Sequence, residues 1–301
     1  MHNKFQGVCC LSFTENTLFM VNFEPLTQTL IGHQTFTCDF TVVNDSGAVA
    51  QPVRLAGYLQ DLFEREKLPG QVRVGLNLQY LDLKQMDFPE MPDDELRQIV
   101  RDEAIRESVF SFSEEPVAVA YKTTGVKKTE TGMVHTEILA ATAPQMVIDS
   151  LINTFNHTDL KLLSIQPNLE GLQCFFTKKI NTDQPVMLLN VLPDQAAFYI
   201  WVNRQPKFWR YLAVGADAPE RLSAEVSLSL EHFQRRAADD ENSRPQKIYW
   251  LGETTSDSTL RQTFQVEDLT AEPLPELTGL ALSGLTQAEL CFVDGPEPSQ
   301  A

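Results

Sequence analysis

The residues able to do chemistry in this chain are scattered. Cys9 and Cys10 are adjacent, and a vicinal pair invites a metal or redox reading. Neighbouring residues of a strand point to opposite faces, however, and no Cys-x-x-Cys partner exists, so the pair reads as two small buried hydrophobes. Cys38, Cys174 and Cys291 are widely spaced, and an odd total of five suits a reducing compartment better than a disulfide framework. His2, His33, His135, His157 and His232 share no ligand spacing. The carboxylate runs at Asp93 to Glu95 and Asp239 to Glu241 read as a helix start and a solvated loop. There is no Gly-x-Gly-x-x-Gly, no phosphate loop ending in Gly-Lys-Ser/Thr, no Gly-x-Ser-x-Gly and no His-Glu-x-x-His. The expectation is no catalytic residue, no metal and no cofactor.

Composition narrows the partners. A net charge of −17 over 301 residues argues against nucleic acid and anionic membranes, whose binders cluster Lys and Arg to displace counterions. Lys127-Lys128 is the nearest thing to a basic run, and it reads as a hairpin tip. An apolar content of 43% fills real cores at this length. No window approaches eighteen apolar residues, and the N-terminus lacks a charged, apolar and small-residue export signal, so a soluble cytoplasmic chain with no direct membrane insertion is expected.

The elements that must position any site repeat once. Val8 to Phe13, Leu18 to Phe23 and Leu30 to Phe40 read as a strand meander, followed by a helix over Gln51 to Lys67 and a strand over Val72 to Leu76. The same β-β-β-α-β order returns as Val186 to Val191, Ala197 to Val202, Lys207 to Val214, a helix over Arg221 to Arg236 and a strand over Lys247 to Gly252. Leu222, Val226, Leu230 and Phe233 form the buried stripe of that second helix. Between the halves lie a strand Val134 to Ala141, helices over Pro144 to Phe155 and Asn168 to Thr177, and a strand Leu160 to Ile165. A short helix at Leu260 to Phe264, a strand Val266 to Leu269, a weak helix over Thr278 to Leu290 and disorder from about Asp294 complete the expectation.

The stretch from Phe88 to Tyr121, FPEMPDDELRQIVRDEAIRESVFSFSEEPVAVAY, has the most particular order of features. Pro92 suits a first helical turn, Asp93, Asp94 and Glu95 sit at the positive end of the helix dipole, and Leu96, Ile99, Val100 and Ile105 recur at helical spacing. An aromatic elbow, Val109 to Phe112, leads to a strand over Pro116 to Tyr121. This order of strand step, acidic helix start, helix, elbow and strand resembles the pilus-assembly family PilM, a relative of FtsA. The resemblance implies an α/β, actin-like (ribonuclease H-like) bilobal fold, with two β-β-β-α-β units and an inserted small α+β subdomain. It also implies boundaries: residues 1–80 as the first lobe, 81–143 as the inserted subdomain, 144–181 as the rest of the first lobe with a crossover helix, 182–293 as the second lobe and 294–301 as a disordered tail.

In the actin-like superfamily each meander carries an Asp-x-Gly phosphate turn, and the resemblance lets both be sought here. Laid on the first strand, it puts Cys9 at the Asp position and Leu11 at the Gly position. In the second copy Asn190 and Leu192 take those places, and the adenosine-side Gly-Gly becomes Gly252-Glu253. A leucine fills the space of a phosphate and a carboxylate repels one, so these six positions are vestigial and the chain reads as a pseudo-ATPase. The resemblance further implies a PilN-like bitopic membrane protein as partner, its cytoplasmic tail lying beside the inserted subdomain. Phe110 and Phe112 of the elbow are then either core or contact residues for that tail. The expected function is a non-catalytic cytoplasmic scaffold of a type IV pilus platform of the mannose-sensitive, MshI-like kind, peripheral to the inner membrane. The cytoplasmic part of the type II secretion protein GspL, a divergent ATPase or sugar-kinase-like phosphotransferase, and an acidic adaptor unconnected with pili are the alternatives.

Overall fold

The computed structural model describes residues 7–24, 29–112, 115–128, 132–180, 182–236, 245–252, 260, 264–269 and 290–294, and among them are three sheets and five α-helices. The chain divides into two compact units, residues 1–172 with 276–301 and residues 173–275.

The first unit opens with β1 (Val8–Phe13), β2 (Thr17–Glu24) and β3 (Thr29–Thr37), then α1 (Pro52–Arg65) and β4 (Gln71–Leu76). All six β1 residues are buried, as a strand flanked on both sides and covered on both faces requires. β1 pairs antiparallel with β2 and parallel with β4. The parallel return is made by α1, which starts with Pro52 in its first turn and buries Leu55, Ala56, Leu59, Leu62 and Phe63 at helical spacing.

The inserted subdomain follows: β5 (Asp82–Pro89), α2 (Asp93–Glu107), β6 (Val117–Lys128) and β7 (Val134–Pro144), an antiparallel sheet in the order β5-β7-β6. Lys127-Lys128 ends β6, as a hairpin tip should. α2 differs from expectation on its apolar face. It buries Leu96, Val100 and Ala104, while Ile99 is 41% exposed and Ile105 half-buried. A helix laid against one face of a three-stranded sheet buries the stripe repeating every four residues, and Ile99 falls beside it.

α3 (Gln145–Asn156), β8 (Lys161–Pro167) and α4 (Asn168–Lys179) come next. β8 joins the first sheet parallel to β4. The first large core gathers Cys9, Leu11, Phe13 and Leu18 with Leu55, Leu59, Val72, Val74 and Ile148.

The second unit repeats the plan with β9 (Val186–Val191), β10 (Ala196–Val202), β11 (Gln205–Leu212), α5 (Pro219–Arg236), β12 (Lys247–Gly252) and β13 (Gln265–Asp268), in the order β11-β10-β9-β12-β13. The β10–β11 turn is made by Asn203 and Arg204, both at positive φ (52° and 62°), the two-residue hairpin whose twist matches its strands. Phe176 of α4 stacks on Trp201 at 4.9 Å between ring centroids. Leu222, Val226, Leu230 and Phe233 are all buried, as their spacing predicts.

The chain terminus departs from expectation. β14 (Val293–Asp294) pairs antiparallel with Ile165 and Ser164 of β8, so this segment joins the first sheet rather than the second lobe, and Asp294 is ordered in a strand. Leu290 is fully buried and Phe292 packs on the first core, its N–H donating to the Ile165 carbonyl at 2.9 Å. This backbone pairing, with buried Leu290 and Phe292 beside it, occupies an otherwise open edge of the sheet. The expected helix over Thr278 to Leu290 lies outside the described residues except at its last position, as do residues 295–301. At Leu260 to Phe264 only the two end residues are described, joined by a bond from Phe264 N–H to the Leu260 carbonyl at 2.9 Å.

All three tryptophans lie in the second unit, so fluorescence reports on its unfolding. Leu230 is buried on α5 and Leu228 is 51% exposed. In urea titrations Leu230→Ala should lose about 2–5 kcal/mol and Leu228→Ala no more than about 0.5.

Candidate functional site

β1, β4 and β8 are mutually parallel, so their C-terminal ends share one edge, the place where α/β sheets bind ligands. Three side chains meet there: Ser12 near the end of β1, Asn77 just after β4 and Asn168 directly after β8. The Asn77 amide donates to the Phe13 carbonyl at 2.9 Å, which fixes its oxygen as an acceptor. That oxygen accepts from Asn168 Nδ2 at 2.7 Å and from the Ser12 hydroxyl at 3.3 Å. Asn168 Oδ1 is left buried with no partner among the described residues. The nearest carboxylate in sequence, Glu170 in the first turn of α4, is engaged by the Lys122 ammonium of β6, and both side chains are more than nine-tenths buried. A cluster of one hydroxyl and two amides carries no charge to hold a metal-bound triphosphate.

The sequence reading singled out Cys9 and Leu11 on β1 instead. Cys9 and Leu11 are fully buried in mid-strand, opposite Asn22 and Met20 of β2 and Val72 and Val74 of β4. The hairpin that ends β1 begins at Thr14, so neither residue reaches the strand end, and Leu11 fills core instead of a phosphate's space. Counting back from the Thr14-Glu15-Asn16 turn would have pointed to Ser12.

The second-unit positions lie at the end of β9 and at its hairpin. Asn190 stands next to last in β9, and Leu192 opens the hairpin to β10, its N–H donating to the Gln195 carbonyl at 2.8 Å. The Leu192 and Pro193 carbonyls accept from the N–H groups of Ala216 and Asp217 at 2.9 and 2.8 Å. Gly215 makes this closure possible, since a Cβ there would lie 2.1 Å from the Leu192 oxygen. Gly252 sits opposite Val191 at φ 77°, where a Cβ would come within 2.0 Å of the Val191 oxygen. Close approach to β9 accounts for this glycine without a phosphate. Glu253 lies outside the described residues.

Cys9, Cys10 and Cys38 are buried. Burial, and secondarily its neighbour Cys10, pushes the Cys9 thiol well above its ordinary pKa, so the reactive thiolate is not formed. Among the described residues no group of three His, Cys, Asp or Glu is arranged to hold a metal ion.

The elbow is the one candidate that presents apolar surface. α2 ends where Ser108 turns to an extended conformation, and a single 3-10 turn, Val109 to Phe112, follows. This turn is pinned from several sides. The Val109 N–H donates to Asp82 Oδ2 of β5 at 2.9 Å, and the buried Ser108 hydroxyl lies 2.7 Å from that of Thr142 on β7. Ser111 donates its hydroxyl to the Ser108 carbonyl at 2.7 Å, and Lys84 caps the Glu107 carbonyl at 2.6 Å. On this frame Phe110 is half-buried, Val109 is 60% exposed and Phe112 is 96% exposed. Three residues per turn put Val109 and Phe112 on the same side. Core packing therefore does not describe Phe112.

No protein-family model matches the chain and no curated protein matches it by sequence. Solved structures do. The PilM-PilN type IV pilus biogenesis complex is similar over 93% of this chain and 99% of that one, with 16% identity and a TM-score of 0.65. The cytoplasmic domain of EpsL, an inner-membrane component of the type II secretion system of Vibrio cholerae, is similar over 95% and 98%, with 10% identity and a TM-score of 0.55. A Bacteroides thetaiotaomicron protein with an actin-like ATPase fold and unknown function covers 94% and 99%, with 11% identity and a TM-score of 0.52. The fold is thus the actin-like one, as the resemblance implied.

The Lys122–Glu170 pair generates a stability test. Glu170→Ala removes the carboxylate from a buried ammonium and should cost about 3–5 kcal/mol, whereas Lys122→Met with Glu170→Leu should recover at least about 2 kcal/mol of that loss. Circular dichroism in urea reads both.

Proposed function

We propose that this chain is a non-catalytic cytoplasmic scaffold of an MSHA-like type IV pilus inner-membrane platform, and that it binds the cytoplasmic tail of a PilN-like bitopic membrane protein. The observation that carries the reading is Phe112, an aromatic ring held almost wholly in solvent by a hydrogen-bonded turn of the inserted subdomain. Leaving such a ring exposed forgoes about 2 kcal/mol of burial, which a partner's apolar side chain restores. The likeness in fold to a complex of PilM with PilN supports the kind of partner. An uncharged cluster at the first strand edge and a self-closed hairpin in the second unit support binding without nucleotide turnover. Among the described residues no helix is long and apolar enough to cross a membrane, so attachment through a partner is the consistent route. A second reading, a cytoplasmic component of a type II secretion platform, draws on the likeness to the EpsL domain. The membrane protein recovered with this chain separates the two.

Apolar contacts survive high salt while attraction to an acidic surface is screened. Phe112→Ala should therefore weaken capture of the partner's tail peptide at least about fivefold, near 1 kcal/mol, at both low and high salt. The same variant should leave folding stability within about 0.5 kcal/mol, as an exposed side chain demands. Normal binding by the folded variant removes Phe112 from the interface.

Isothermal titration with Mg-ATP should show no measurable binding. A dissociation constant below about 100 μM, equivalent to about 5.5 kcal/mol, contradicts the pseudo-ATPase reading.

A further inference from the structure

We propose that the segment held at the elbow is basic as well as apolar, with a Lys or Arg beside its apolar anchor that is recognised by Glu107 and Glu115, one on each side of Phe112 in the chain. This rests on the reading of the elbow as the docking point for the tail of a one-span membrane protein. The stretch from Glu103 to Glu115 holds four glutamates and one arginine. Arg106 and Lys84 are already engaged. Arg106 pairs with Glu103, while the Lys84 ammonium donates to the Glu107 carbonyl at 2.6 Å and lies 3.8 Å from Asp82 Oδ2. The Glu107 and Glu115 side chains are exposed and have no cation partner among the described residues.

Both charges are close enough to the ring to act on what covers it. Glu115 follows Phe112 by three residues, at most about 11 Å of extended chain. Glu107 precedes it by Ser108 and the single 3-10 turn, on the order of 10 Å away. The field of an exposed charge persists over about 8 Å at physiological salt and about 30 Å at 0.01 M. α2 also ends at Glu107, so the negative end of its dipole, about half a charge, falls at the same place. These signs select the occupant. A second copy of the chain would set Glu107 and Glu115 against their own like, and an acidic peptide or an anionic lipid surface would meet the same repulsion. The cytoplasmic segment beside a membrane span is enriched in Lys and Arg, and a cation there gains from the face of an exposed ring as well as from the carboxylates.

The test pellets the full chain with inverted inner-membrane vesicles from the cells that make it, at about 50 and about 500 mM salt. Trypsin-shaved vesicles and protein-free vesicles of the same extracted lipids run alongside. Wild type should pellet with the native vesicles and with neither control, since trypsin cuts after Lys and Arg and removes the segment. Glu107→Gln with Glu115→Gln should bind at least about threefold more weakly than wild type at the lower salt, and within about 1.5-fold of it at the higher, where the charges are screened. Asp61→Asn with Glu64→Gln takes the same two charges from exposed positions on α1 and should change binding at neither salt, which separates a local field from the net charge of −17. A glutamine pair that binds as wild type does at low salt, or loses as much at high salt, overturns the proposal. So does binding to the lipid-only vesicles, which makes the occupant a membrane surface. Phe112→Ala tells the two failures apart. If it weakens binding at both salts while the glutamine pair behaves as wild type, the docking reading stands and the basic segment falls; if it binds normally, both fall. Should the glutamine pair lose its circular dichroism signature, Glu115→Gln, which lies outside any helix or strand, decides alone at the lower salt.

Discussion

Parallel pairing of the first strand of each meander with the strand that returns after the helix is the constraint on which the rest depends. β1 with β4, and β9 with β12, can be joined only by a crossover long enough to hold a helix, so α1 and α5 follow from the pairing. A strand held between two neighbours and covered on both faces must be apolar over most of its length, as VCCLSF and VMLLNV are up to Ser12 and Asn190 near their ends. The same pairing brings C-terminal strand ends to a common edge in each unit. Residues distant in sequence, Ser12, Asn77 and Asn168 in one unit and Asn190 and Gly252 in the other, become neighbours for that reason alone.

The two units use that edge differently. In the first, two amides and a hydroxyl bond to one another and leave Asn168 Oδ1 without a partner among the described residues, and the carboxylate of Glu170 is neutralised by Lys122 from the inserted subdomain. That buried ion pair ties β6 to the start of α4. In the second, hairpin carbonyls and glycines close on each other with no space left for a side chain. On the elbow, hydrogen bonds from β5 and β7 hold the turn and leave Phe112, 96% exposed, outside.

Much of the fold is legible in the sequence because its signals are local. The bounds of β1, β9 and β12 follow from apolar runs between turn residues, and the α5 stripe from its spacing. Cys9 and Cys10 are buried, as adjacency within a strand implies. What sequence could not locate depended on distance. Cys9 and Leu11 come from an alignment with no turn residue to anchor the count, and both lie in mid-strand. The Ser12, Asn77 and Asn168 cluster has no signal in sequence, since only strand order assembles it. A two-residue strand at Val293 has no periodicity, and its partner lies more than a hundred residues earlier. The elbow sat between these cases. Its aromatic residues were visible, but whether Phe112 faces core or solvent depends on how Ser108 and Asp82 pin the turn.

The most direct measurement is photo-cross-linking in cells from a benzoylphenylalanine placed at position 112, a substitution that an exposed ring tolerates. The account predicts a single dominant adduct with the cytoplasmic segment of a one-span inner-membrane protein, lost when the photoreactive residue is moved to buried Leu230. An adduct with soluble proteins only, or none at all in cells where the chain fractionates with the membrane, would contradict it.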